Sequence, residues 1–209
     1  MKPVWKKEPK ELKWQLQGLP CLLTRHPSSG AWQGYVGVSQ TSILYGLDLM
    51  CIAPYKGDWG APLSEFTRVG DFEMLRHAIS LPDSDPDTDG YSGRHNAPVF
   101  AMFKVHGGLR FAGMPWSGLQ QWPDEAPWFF GFHCQHEYDI VPEMYDGDND
   151  SDPADEPDSI QRHMDLMGKT LYRSFEYAKG QTENLAEQIA AYHNWINEEG
   201  LLPSLRKTT

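Results

Sequence analysis

Cysteine is scarce in this chain: three in 209 residues, Cys21, Cys51 and Cys134, each far from the others. So sparse and odd a set excludes a disulfide framework as the source of stability and favours a reducing compartment. No apolar run approaches the ~18 residues that mark a membrane-crossing helix. The basic start Met1-Lys2-Pro3-Val4-Trp5-Lys6-Lys7 is not followed by an apolar segment of the kind that directs secretion, so the expected location is cytoplasmic. Basic residues are also few, 18 Lys and Arg against 29 Asp and Glu, for a net charge of -11. The deficit is local. Asp83 to Asp89 holds four acids and Asp146 to Asp158 holds seven, with no base in either. Without those 11 the chain has 18 acids and 18 bases, which excludes a broad basic face for nucleic-acid backbones.

Aromatic residues, by contrast, are plentiful: 8 Trp, 9 Tyr and 9 Phe exclude a wholly disordered chain. The length suits one packed domain. The division expected is a flexible N-terminal arm over 1–18, a single domain over 19–200 with acidic loops at about 82–93 and 146–158, and a C-terminal tail over 201–209.

Within that domain, strands are expected at Gly34–Val38, Ile43–Leu47, Leu49–Ala53 and, most clearly, Pro98–His106, where Val99, Ala101, Phe103 and Val105 alternate. Gly107-Gly108 reads as a tight turn leading to a further strand over Leu109–Gly113. Trp128–His136 is the next strand, apolar at its start and polar at its end. Helices are expected over Asp71–Ile79, from Ser159 to about Leu171, and from Thr182 to Glu199, the last carrying Leu185, Ile189, Tyr192 and Ile196 on one stripe. The fold class is α+β, a mixed or mainly antiparallel sheet with two or three helices packed on one side.

Chemistry concentrates at two strand ends. On a strand Cys134 and His136 point to the same side, about 6.5 to 7 Å apart at Cα. Asp139 follows three residues on, and His106 ends another strand. These four offer S, N, N and O donors, a set that suits tetrahedral zinc, with Asp139 as fourth ligand or base. They equally offer Cys134 as a nucleophile with His136 or His106 as base and Asp139 as orienter. The packing alternative makes Cys134 a small buried hydrophobe and the histidines partners of nearby carbonyls. Trp116 and Trp128, with His133 and Tyr138, are candidates for a ligand-binding wall. The acidic loops partly match the spacing of calcium loops, but Asn96 and Ser151 stand where a bidentate Glu and a Gly are needed.

Val105-His106-Gly107-Gly108-Leu109, followed by Trp128-Phe129-Phe130-Gly131-Phe132-His133-Cys134-Gln135-His136-Glu137-Tyr138-Asp139, resembles a family of small bacteriophage and prophage proteins. That family carries VHGGL and WWFGFDCxHxxD-like motifs, with early elements matching Gly34–Val38 and Leu44-Tyr45-Gly46. His133 stands where the family has Asp. The resemblance implies a phage-like setting, hence host cytoplasm, and draws interest to His106, Cys134, His136 and Asp139, but brings no reaction with it.

Three readings follow. One is a small protein whose polar Cys/His cleft binds or hydrolyses a nucleotide-like or other polar metabolite, with zinc as its candidate cofactor. The second is an acidic interaction protein that binds and inhibits a host protein through its loops. The third is a metabolite-sequestering protein without catalysis.

Overall fold

The computed structural model describes residues 4–55, 95–114, 126–136, 139–142 and 171–200. Both acidic loops, Trp116, Tyr138 and the helices expected over 71–79 and from Ser159 lie outside those residues. The described chain is α+β. Its main sheet has five antiparallel strands in the order β1 (Glu11–Leu16), β2 (Leu19–Arg25), β3 (Trp32–Val38), β7 (Trp128–His133), β6 (Phe111–Gly113). Two strand pairs accompany it: β4 (Ile52–Tyr55) antiparallel to β5 (His95–Pro98), and β8 (Asp139–Ile140) parallel to β9 (Leu171–Tyr172). Among the described residues there are two α-helices, a single turn α1 (Val99–Met102) and the long α2 (Phe175–Glu198). Neither is long and apolar enough to cross a membrane.

The sheet is apolar on both sides because its central strands alternate apolar residues with other apolar residues. Cys21, Leu23, Val36, Phe130 and Phe132 join the main core with Leu185, Ala186, Ile189 and Ile196 of α2. Leu22, Tyr35 and Phe129 form a second cluster, with Phe111 packed against it. Each fully buried Leu or Phe stabilises the fold by roughly 1.5–3 kcal/mol. Helix and sheet approach closely at Gly34. A Cβ there would run into the Thr182 hydroxyl and the Phe132 ring, so no larger residue fits without separating the layers.

The expected arm over 1–18 is corrected by the structure. Glu11–Leu16 is an edge strand whose Leu12, Trp14 and Leu16 pack against the core, while Glu11 and Gln15 stay exposed. Its hairpin to β2 turns through Gln17 (φ 51) and Gly18 (φ 79), the paired positive angles that match the strand twist. Upstream, Glu8 is a half-buried anchor. Its carboxylate accepts from Arg25 Nη2 (2.5 Å), Trp32 Nε1 (3.3 Å), the Tyr172 hydroxyl and the backbone N–H of Phe175 (3.0 Å). It thereby caps α2 together with Ser174, whose side chain accepts from Tyr177 N.

Four strand expectations also change; in one, Leu49–Ala53, the chain turns through Cys51 N to Asp48 O and β4 begins only at Ile52. Pro98–His106 is not a strand: β5 ends at Pro98 and Val99–Met102 makes one helical turn. All four of those residues are buried, so their alternation carries no information about period. Ile43–Leu47 is a turn, closed by Tyr45 N to Ser42 O and Leu47 N to Leu44 O, rather than a strand. Trp128–His136 is strand only as far as His133. The last helix begins seven residues before the expected Thr182, which lies mid-helix with its hydroxyl bonded to Ala178 O.

Replacing Glu8 by Ala removes the carboxylate partner of the Arg25 guanidinium, whose side chain is only 15 % exposed and which would keep Gly30 O and the Tyr172 hydroxyl as neutral acceptors. The expected loss is about 3 kcal/mol, the scale of a broken buried ion pair. Urea unfolding of the full chain measures it, and an unchanged midpoint would contradict the anchor.

Candidate functional site

The polar centre forms where β7 ends, beside the first two turns of α2. With no strand over 104–106, the backbone there needs other partners, and helix side chains supply them. Gln188 accepts from Lys104 N and donates to Lys104 O, both at 2.8 Å, imitating a strand neighbour. Gln181 accepts from His106 N (2.9 Å). Tyr177, one helical turn before Gln181, places its hydroxyl 3.0 Å from His106 Nδ1. His106 is thus fixed from its backbone and from one ring nitrogen, and Nε2 is left facing inward.

Inward lies Asp139. Its side chain is 1 % exposed, and both oxygens are engaged. Oδ2 lies 2.7 Å from His106 Nε2 and 3.1 Å from His136 Nδ1, and accepts from His136 N (3.0 Å). Oδ1 accepts from Arg173 Nε at 2.7 Å. The two imidazoles approach each other to 3.3 Å between Nδ1 of His136 and Nε2 of His106. Burial alone would raise the Asp139 carboxyl, but bonds from His106, His136 and Arg173 together hold it far below the ordinary carboxylate range. It is an anion at every ordinary pH.

Gly107 explains how His136 fits. Its φ is +65°, and a Cβ there would collide with the His136 ring. The Gly107-Gly108 turn (φ 65 and 76) is therefore real, but it seats an imidazole instead of joining a hairpin to Pro98–His106. On its other side His136 stacks on His133, with centroids 4.7 Å apart and planes 13° from parallel. His133 is pushed down to about 4, by burial first and then by the neighbouring His136 and Arg110. Among the described residues, His136 Nε2 and His133 Nδ1 are buried with no hydrogen-bond partner.

The structure brings together His106, His136 and Asp139, whose donor atoms all lie within 4.8 Å of one another. Cys134 is not among them. Because β7 stops at His133, Cys134 and His136 do not share a strand face. The Cys134 thiol is instead 2 % exposed in the main core. Burial foremost, then the Asp139 charge, push its pKa up, away from the thiolate. Trp128 sits at the opposite end of β7, about 16 Å along the strand by rise per residue. Its indole donates to Leu47 O at 2.8 Å, a packing role.

Tyr177, Gln181 and Arg173 escaped the sequence reading. Tyr177 and Gln181 stand one turn apart on α2, a polar i, i+4 pair concealed by the late expected helix start, whereas Arg173 lies in the extended segment before the helix and carries no periodic signal.

Zinc fits the donor set but not yet the spacing. At zinc–ligand lengths of about 2.0–2.1 Å, tetrahedral ligands stand roughly 3.3 Å apart. The His106–Asp139 separation of 2.7 Å must therefore open slightly, whereas the two histidines already match. With a metal bound, Nε2 of His106 would turn its lone pair inward, leaving Nδ1–H to donate to the Tyr177 hydroxyl. One divalent ion satisfies all three atoms at once. Arg173 and Tyr177 supply the outer bonds that hold metal ligands in orientation.

Two measurements check this geometry. Gly107→Ala should cost about 1–3 kcal/mol through overpacking and displace His136, read as a lowered melting temperature and altered imidazole resonances. His133 is protonated more readily unfolded (about 6.5) than folded (about 4), so its contribution is complete above pH 6.5 and lost as pH falls towards 4. The loss is on the order of 3 kcal/mol, and His133→Gln should flatten that part of a stability-versus-pH curve. No protein-family model, curated protein or solved structure matches the chain.

Proposed function

We propose that the chain is a small metal-dependent hydrolase acting on a nucleotide-like or other polar metabolite, in the phage-like setting its motifs suggest. One observation carries this reading: His106 Nε2, His136 Nδ1 and Asp139 Oδ2 converge on one point in a largely buried setting. Two imidazoles and a carboxylate make a three-ligand set that leaves a coordination position for water or substrate. Bound zinc would acidify such a water towards neutral pH and polarise a substrate oxygen.

The chain's own residues set up that centre. Arg173 occupies Oδ1, so Asp139 presents a single oxygen inward. Tyr177 holds Nδ1 of His106 and fixes which nitrogen faces the centre. Gln181 anchors the backbone of the same residue. A Cys134 nucleophile is not part of this proposal, since burial disfavours the thiolate it needs.

Metal-stripped full chain should bind one zinc ion, measured by native mass spectrometry and calorimetry. His106→Ala, His136→Ala and Asp139→Asn should each weaken binding at least a hundredfold, whereas Cys134→Ala should retain it despite lower stability. Turnover of a panel of nucleotides and simple phosphate and carboxylate esters should appear only with metal. Zinc bound equally well by the three site variants would overturn the proposal.

A further inference from the structure

The sheet face turned away from α2 carries a cleft of about 290 Å³, lined by His26, Gln33, Tyr35, Arg110, Phe111 and His133 among others. Its lining is chemically one-sided. Although the chain has a net charge of -11, no carboxylate lines the cleft among the described residues. Its polar lining is rich in nitrogen: His26, Gln33, Arg110 and His133. His26 Nδ1 accepts from the backbone N–H of Ser29 (3.2 Å), so the neutral ring carries its proton on Nε2 and remains a donor. Arg110 adds a permanent positive charge, and Gln33 adds an amide opposite His133 in the β3–β7 register.

The other wall is aromatic. Tyr35 and Phe111 meet edge to face, with centroids 5.3 Å apart and planes at 88°. Both are in register with Gly131, one from each side. A Cβ at Gly131 would strike the Tyr35 ring, so glycine is what lets the aromatic wall lie close to the strand.

We infer that this cleft binds a small molecule joining an oxyanion to a planar ring, with the anion at Arg110 and His26 and the ring against Phe111 and Tyr35. Guanidinium and imidazole donors suit phosphate or carboxylate oxygens, and flat apolar walls suit a ring face or edge. The seat is one imidazole from the converged donors, because His133 lines the cleft while stacking on His136. Binding in the cleft stands without metal. Its role as the substrate seat rests on the proposed hydrolase.

Calorimetry on the full chain in excess chelator tests it with four probes. Adenosine 5′-monophosphate joins a phosphate to a ring and benzoate joins a carboxylate to a ring, while adenosine and inorganic phosphate each supply one half. At least one of the joined ligands should bind tenfold or more tighter than either half. Which joined ligand prevails identifies the oxyanion. Arg110→Gln and His26→Gln, each checked for an unchanged melting profile, should weaken that ligand about tenfold and leave adenosine and zinc binding unaltered. Adenosine binding as tightly as the monophosphate, no binding by either joined ligand, or indifference to both substitutions would overturn the inference. Zinc binding is scored separately on the same protein, so a failed metal site and a failed cleft give different results.

Discussion

The candidate site is arranged around one buried carboxylate. Asp139 is almost wholly removed from water, and a lone anion there would be costly. It persists because four donors reach it from three separate stretches of chain: the ring at 106, the ring and backbone at 136, and the guanidinium at 173. Each of those donors is in turn held by something else. The 106 ring leans on Tyr177, the 136 ring rests on a glycine without a side chain, and the 173 backbone follows directly from the short β8–β9 pairing. The site is therefore a consequence of packing decided elsewhere.

A second polar knot balances the first. Glu8 joins Arg25, Trp32, Tyr172 and the start of α2, and Arg25 covers the Trp32 ring at 4.0 Å. Tyr172 and Arg173 are neighbours in sequence but serve different knots, since successive residues of an extended segment point opposite ways. Residues 172 to 175 thus tie the helix to both an N-terminal carboxylate and the candidate metal centre.

The sequence made some of this legible and concealed the rest for definite reasons. The alternation at Trp128–Phe132 and the stripe Leu185, Ile189, Tyr192, Ile196 mark the central strand and the long helix, because packing repeats those patterns over many residues. His106, His136 and Asp139 stand out by chemistry, since such side chains are few near apolar strand ends. Cys134 misleads because the strand periodicity of Trp128–His136 runs three residues past the true end of β7. Val99–Met102 misleads because a segment buried on all sides has no preferred period. Tyr177 and Gln181 stay hidden because their role depends on contacts more than 70 residues away.

The Glu8 knot also bears on how the chain acquires its shape. The carboxylate at position 8 and the helix amide it caps are separated by 167 residues. As the chain leaves the ribosome, β1 and β2 can pair early, yet their guanidinium and indole donors must wait for the helix that completes their shared acceptor's shell. Contacts of such sequence separation slow folding and leave nascent edges open. Order at the N-terminal edge and assembly of the histidine–aspartate centre are thereby joined in time, and a chain interrupted before α2 would have neither.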